Sequence, residues 1–328
     1  MKVTTKKEQI VQWITRNPPQ EGSIGYYSNV AKRFDTSGEY VRNIIKKIKT
    51  IPNIRNNSQA KRTDTIISNS VRELIIPEGK GLNKRVYKIL GNSRIAVLND
   101  IHFPYHDKAA LDTCLNYLDY VQPNVIVLNG DIVDFYSVSR FSKVPDAPLL
   151  KEEIEMLKMF LEHLRNRFKA ATIVFKVGNH ENRLYRYIAD RAVGLFGLNE
   201  LSLPSLFNLQ EYNIDFADDM DSIQAGNLTI FHGHEFNIPT SNAVTVSRSM
   251  LLRYLDNIMF GHFHKSQEYM QTIGPKKNIQ SISVGCLCGL SPYYSPYNLW
   301  NHGFALIDLD VNGTFVVENH KIINNKVY

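Results

Sequence analysis

An α/β architecture, a two-sheet β-sandwich flanked by helices with a small all-α domain ahead of it, is the fold this sequence predicts. Three observations carry that expectation. From Arg94 onward, short apolar runs that suit buried strands alternate with amphipathic helical stretches. The first fifty residues show helical periodicity alone. Charge changes sign near the same boundary: residues 1–90 carry 18 Lys/Arg against 7 Asp/Glu, a net of +11, and the remaining 238 carry 20 against 25, a net of −5. Such a split predicts a basic module for a polyanion joined to a mildly acidic domain able to hold cations among its carboxylates. Simple solubilisation of a small domain is the plainer alternative.

Composition narrows the class. With 328 residues, 43% of them hydrophobic and 11% aromatic, the chain has ample material for a packed core, which excludes global disorder, collagen-like repetition and a disulfide-stapled mini-protein. Cys114, Cys286 and Cys288 are too few and too uneven for a disulfide framework, and Cys286 and Cys288 lack the two-residue gap of a zinc or redox pair, so reduced thiols are expected. Residues 1–10 are polar and lysine-rich, and no window approaches the roughly 18 apolar residues of a membrane span. A cytoplasmic protein with no membrane partner is the expectation; oligomeric state is left open.

Ile10, Val11, Trp13 and Ile14 form a helical stripe that Pro18 and Pro19 end. A second helix is expected from Tyr26 to Phe34, then a tight turn at Asp35–Gly38 with Ser37 as cap, then a third helix burying Val41, Ile44, Ile45 and Ile48. On its other face stand Arg42, Asn43, Lys46, Lys47 and Lys49. Helix, turn, basic helix resembles the helix-turn-helix family, and the resemblance implies nucleic-acid contact through Arg42, Lys46, Lys47 and Lys49. A three-helix protein-docking module is the alternative. Periodicity is lost from Ile51 on, so residues 1–50 are read as the basic domain, 51–92 as a linker or small β-element, and 93–328 as the larger domain.

In that domain Ile95–Leu98, Val125–Leu128, Ile173–Val177, Leu228–Phe231 and Ile258–Phe260 suit buried strands. Helices are expected at Ala109–Tyr120, Leu149–Phe168 and Asn242–Tyr254, and the chain closes with a hairpin whose Asn312-Gly313 favours type I′ geometry. Each strand is followed by a polar, metal-competent cluster. These are Asp100-Ile101-His102, then Gly130-Asp131 with Asp134, then Gly178-Asn179-His180-Glu181, then His232-Gly233-His234, then Gly261-His262-Phe263-His264. Ligands at the carboxyl ends of neighbouring strands converge on one crevice.

This ordered set, D-x-H, G-D-x-x-D, G-N-H-E, a histidine after a strand and G-H-x-H, resembles the calcineurin-like metallophosphoesterase superfamily over about residues 94–308. The resemblance implies a sandwich fold with two divalent ions, one held by Asp100, His102, Asp131 and His264, the other by Asp131, Asn179, His232 and His262. Asp131 would then bridge, and a water between the ions would become a nucleophilic hydroxide. Mixed imidazole and carboxylate ligands suit Mn first, with Fe or Zn open. The resemblance makes His180 a general acid at the leaving oxygen and Asp134 the partner that orients its ring. His234, two residues from His232, is the rival for that ligand place or a substrate-binding group. Where phosphatases of this superfamily carry phosphate-clamping arginines, Phe135 and Val177 stand instead. Arg183, with Arg186 one turn on, can replace them, a plain surface role being the alternative. Tyr293, Tyr294, Tyr297 and Trp300 can stack bases or simply pack. Together these expectations describe a phosphodiesterase or nuclease on DNA or RNA. The alternatives are a phosphomonoesterase and a nucleic-acid-binding or virion-associated protein with vestigial catalysis.

Overall fold

The computed structural model describes residues 5–17, 26–48, 81, 84–239, 244–275, 277–292 and 295–328. Lys49, the side chain of Lys47, and Tyr293 and Tyr294 lie outside the described set. The chain divides into two compact units, residues 1–78 and 79–328. In the first, α1 (Lys6–Arg16), α2 (Tyr26–Arg33) and α3 (Gly38–Ile48) enclose Ile10, Ile14, Val30, Ala31, Val41, Ile44 and Ile45. Thr5 and Glu8 cap α1 reciprocally, and the Ser37 hydroxyl accepts the Tyr40 amide at 3.1 Å ahead of the third helix. Arg42 and Lys46 are exposed on α3, with the Arg42 guanidinium 5.3 Å over the Tyr27 ring.

The second unit is a sandwich. One sheet runs β1 (Val86–Ile89), β6 (Ser222–Ala225), β7 (Leu228–Ile230), β8 (Ile258–Phe260), β10 (Lys277–Ser283) and β9 (Gln267–Ile273). The other runs β13 (Lys326–Val327), β12 (Phe315–Ile323), β11 (Gly303–Leu309), β2 (Ser93–Leu98), β3 (Val125–Asn129), β4 (Thr172–Lys176) and β5 (Ile214–Ala217). Alternate side chains assign the faces. Ile95, Val97, Val127 and Val174 point between the sheets to meet Ile223, Ile230, Met259 and Ile282. Their neighbours Ala96, Leu98, Ile126, Leu128 and Phe175 point outward under α4 (Lys108–Val121) and α5 (Leu150–Arg167), where Leu115, Leu157, Leu161 and Leu164 cover them. Strands buried on both faces must read as unbroken apolar runs, which is how they stand in the sequence. On the far side of the six-stranded sheet, α8 (Val246–Tyr254) buries Val246 and Met250 against Ile258 and Phe260.

Strands β2 to β5 are parallel, with α4, α5, α6 (Asn182–Arg191) and α7 (Leu203–Leu206) in their connections. Their register sets Leu98 beside Leu128 and Leu128 beside Phe175, so three strands finish level at one edge. In the other sheet β7 and β8 are parallel through Ile230 and Met259 and end in the same way. Val86–Ile89, within the stretch read as linker or small β-element, form an edge strand parallel to β6. The terminal hairpin differs from the type I′ expectation. Gly313 has φ +82° but Asn312 is not left-handed, and the Asp310 carboxylate accepts the Asn312 and Thr314 amides at 2.9 and 2.7 Å. That side chain makes a three-residue loop with one glycine at the left-handed position the better solution.

Candidate metal centre

Five chain segments leave the strand ends and turn at once. Asp100, His102, Asp131, His262 and His264 all have φ between 52° and 67°, a left-handed backbone that non-glycine residues seldom adopt and that clusters at functional sites. Gly130 and Gly178 explain how the loops come so close. A Cβ on Gly178 would run into Asp131, and one on Gly130 would lie 2.5 Å from the His232 ring.

Asp131 stands at the middle. Its Oδ1 accepts the His180 amide at 2.8 Å, while Oδ2 lies 3.2 Å from His232 Nε2, 3.7 Å from His180 Nε2 and 3.9 Å from His102 Nε2. Asp100 is divided in the same manner: Oδ2 accepts the Asn99 side-chain amide and the His262 backbone amide at 2.8 and 2.9 Å, and Oδ1 faces His264 Nε2 at 3.4 Å. His102 and His264 point their Nε2 atoms at one another, 3.2 Å apart. The candidate ligand groups among the described residues are His102, His264 and Cys288; His102, Asp131 and His180; and Asp131, His232 and His262. His234 joins none of them, because its Nε2 is held by Asp219 at 2.7 Å, whereas His232 donates Nδ1–H to the Asn129 carbonyl at 2.7 Å and keeps Nε2 free.

The residues fit a pair of cations. Asp100 Oδ1, Asn179 Oδ1 and His232 Nε2 are buried with no hydrogen-bond partner, and a buried polar atom in that state is costly unless a group from outside the chain satisfies it. Charge points the same way. Burial alone would raise the Asp131 pKa, yet His180 and His232 hold it well below the usual range. Burial would lower His232, but Asp131 and Asp100 push it up to about 10. The carboxylates thus demand positive charge between these two strands' ends.

Around the candidate ligands sits a layer of partners. The Asp134 carboxylate takes His102 Nδ1 at 3.2 Å and His180 Nδ1 at 3.1 Å on one oxygen, and Arg183 Nη1 at 2.9 Å on the other. Arg183 Nη2 lies 2.8 Å from His180 Nε2. A guanidinium only donates, so here His180 is the neutral Nδ1–H tautomer with Nε2 accepting. Arg183 is therefore engaged by the site's own residues. Glu181, recognised in the sequence only as part of a motif, is fully buried and accepts four amides, from Asp131, Ile132, Val133 and Gly178, at 2.7 to 3.2 Å. It ties the loop after β3 to the loop after β4. Lys176, also buried, pairs with Glu235 at 3.0 Å, and Glu235 accepts the His232 and Gly233 amides. Neither is legible as part of the site from sequence, since only the fold brings β4 against the loop after β7. Cys288, expected as a plain thiol, lies 3.7 Å from His264 Nδ1.

A cleft of about 1490 Å³ opens over this centre, lined by His102, Asn179, His180, Arg183 and Arg186 together with the loop from Tyr136 to Val144. Trp300 lines it too and packs on His264 with ring centres 4.1 Å apart, while Tyr297 is exposed and outside it. Glu153 of α5 supports the loop by accepting the Tyr136 amide at 2.9 Å.

Two outcomes are expected of the purified protein. His232→Ala should lose bound divalent metal while His234→Ala keeps it, read by metal analysis after reconstitution and gel filtration; the reverse pattern would exchange their roles. Burial, then Asp134, pushes the Glu153 carboxyl up to about 7 from 4.5. Between those values the folded chain keeps a proton that the unfolded chain has released, so this group's contribution is present below about pH 4.5 and lost as pH rises through 7. Urea unfolding of metal-free protein should show Glu153→Gln gaining on the natural chain from pH 5 to pH 8. A pH-independent difference would refute this.

The chain is similar to several known proteins. Residues 93–266 match the family model for calcineurin-like phosphoesterase. Gene 54 protein of Mycobacterium phage L5 is 27% identical over 231 residues, covering 67% of this chain and 90% of that protein, and Gene 54 protein of Mycobacterium phage D29 is 25% identical over 252 residues, covering 70% and 98%. Among solved structures, Vps29 of Entamoeba histolytica (13% identity, TM-score 0.37, 72% of this chain and 96% of that one) and a dimetal phosphatase of Danio rerio (10%, 0.34, 67% and 93%) are similar. With its candidate ligands gathered at one edge of a two-sheet sandwich and more than half its length matched, the chain belongs to the calcineurin-like phosphoesterase family.

Proposed function

We propose that this phosphoesterase is a dinuclear phosphodiesterase that cleaves DNA or RNA, delivered to it by the basic first unit. The long cleft carries the reading: Arg140, Lys143, Arg183, Arg186 and Arg191 stand among Tyr105, Tyr136, Phe141, Tyr187 and Trp300, a lining of cations and rings suited to a polynucleotide rather than a lone phosphate. The metal sites are assigned to Asp100, His102, Asp131 and His264, and to Asp131, Asn179, His232 and His262, with Mn favoured over Fe or Zn by the mixed donors. Two divalent ions there supply Lewis-acid polarisation of phosphoryl oxygens and acidify a water near neutral pH.

The chain's own residues do the rest. Asp134 holds Nδ1–H of His180, a cleft-lining residue whose Nε2 accepts from Arg183 Nη2. When a phosphate oxygen draws Arg183 Nη2 onto itself, Nε2 is freed to take up a proton from solvent, and the imidazolium so formed, held by Asp134 through Nδ1–H, gives that proton to the departing oxygen. Arg183 and His180 thus act on the same phosphate in turn. In the first unit, Arg42 and Lys46 offer cations along α3 for flanking phosphates.

Reconstituted with Mn, the full-length protein should hydrolyse labelled DNA or RNA and bis-p-nitrophenyl phosphate in preference to p-nitrophenyl phosphate. Turnover of the monoester alone would replace this reading with a phosphomonoesterase. His180→Ala should keep its metal and lose roughly 10²- to 10⁴-fold in rate on nucleic acid, with a smaller loss on p-nitrophenyl esters, whose leaving group needs no proton. Equal losses would remove the acid role. Reversing charge at Arg42 and Lys46 should weaken capture of long nucleic acid and flatten the slope of log affinity against log salt by about 0.7 to 0.9 for each phosphate no longer neutralised. An unchanged salt slope would leave protein docking as the better account of that unit.

A further inference from the structure

Of the cations lining the cleft, most are already committed. Arg183 is held by Asp134 and His180, Arg140 by Asp190 at 2.8 Å, and Lys143 by Ser139 and Phe141 of its own loop at 2.6 to 2.9 Å, with its ammonium 4.8 Å from the Tyr136 ring centre. Arg186 differs. It is exposed, lines the same wall one turn of α6 beyond Arg183, and makes no hydrogen bond or ion pair among the described residues. Three residues of helix advance about 4.5 Å, so its guanidinium is anchored further along the cleft from the metal centre than that of Arg183.

Two large rings share this part of the cleft. Tyr187 follows Arg186 on α6 and is 45% exposed, and Phe141, on the loop that also lines the cleft, is 69% exposed. Burying neither ring in the protein leaves apolar faces open in a place where water would otherwise be expelled on binding. The loop that carries Phe141 is tied to α6 at two points, by the Arg140–Asp190 ion pair and by the Arg183 guanidinium 6.0 Å over Phe141 itself. Phe141 is thereby kept over the cleft.

We propose that Arg186, Tyr187 and Phe141 form a subsite for the nucleotide next to the scissile phosphodiester, Arg186 receiving the flanking phosphate and the two rings offering faces to its base. This rests on the nucleic-acid reading above and adds to it a division of labour: Arg183 serves the reacting phosphate and Arg186 its neighbour. A planar guanidinium with no other partner among the described residues is the chemistry that recognises a phosphate through two parallel hydrogen bonds, and such a cation beside open rings recognises a nucleotide rather than a phosphate alone.

Full-length, Mn-reconstituted protein is assayed on a thymidine trinucleotide, which has a flanking phosphate, and on bis-p-nitrophenyl phosphate, which has none. In Arg186→Gln the ratio of the two kcat/KM values should fall by about ten- to a hundredfold, through KM for the trinucleotide, and Arg186→Lys should recover part of it. Phe141→Ala should lower the same ratio. Anisotropy titration of metal-free protein with a labelled short oligothymidylate should show the salt slope reduced by about 0.7 in Arg186→Gln. An unaltered ratio in Arg186→Gln, with the natural protein cleaving the trinucleotide, overturns the subsite and leaves the nuclease reading standing. A natural protein that turns over bis-p-nitrophenyl phosphate but neither binds nor cleaves the trinucleotide overturns both.

Discussion

Two carboxylates buried side by side are the constraint on which the second unit depends. Asp100 and Asp131 are 0% and 1% exposed, at the ends of adjacent parallel strands, and carboxylates taken out of water are tolerated only when hydrogen bonds and opposite charge replace it. One oxygen of each is satisfied by amides, Asp131 by that of His180, Asp100 by those of Asn99 and His262. The second oxygen of each faces imidazoles, and it calls for positive charge from them or from a bound cation. Five of the candidate ligands take a left-handed backbone, and at one of them, His262, the turn brings the residue's own amide onto the Asp100 carboxylate.

Such strain persists only where the surroundings over-determine it, and buried polar anchors do so here. Glu181 gathers four amides from two loops, and Glu235, neutralised by Lys176, gathers two more from the loop after β7. Burial would raise the Glu235 pKa, but Lys176 holds it down to about 2, so it remains a charged acceptor through the neutral range. Each anchor is a carboxylate that accepts backbone amides, and each fixes a loop whose other side chains face the candidate metal centre.

How much of this the sequence discloses depends on whether the information is local. Strand ends followed by Asp, Asn and His are local patterns, and β2, β3, β4, β7 and β8 fall where apolar runs place them, within a residue or two. The choice between His232 and His234 is not local: both follow the same strand, and it is Asp219, in the turn between β5 and β6, that occupies His234. Arg183 is a similar case. Its spacing of one helical turn from Arg186 is legible, but its bonds to Asp134 and His180 come from the loop after β3 meeting the start of α6. The type I′ expectation for the hairpin fails because Asn312-Gly313 suggests it only when weighed without Asp310, whose carboxylate organises the turn.

The centre also explains why both sheets are needed. Asp100, His102, Asp131 and Asn179 come from the seven-stranded sheet, and His232, His262 and His264 from the six-stranded one. Neither sheet alone carries enough imidazole and carboxylate for two ions. Behind these side chains lies an apolar layer that helps to set the spacing between the halves, where Val97 and Val127 meet Ile230 and Met259 with no exposed surface. Close packing in that layer resists compression and expansion by even a methylene, and at its rim His232 Nε2 stands 3.2 Å from Asp131 Oδ2. The hydrophobic core of this sandwich is therefore part of the candidate metal centre's geometry, and the cost of gathering like charges at its rim is met by burial a few residues beneath them.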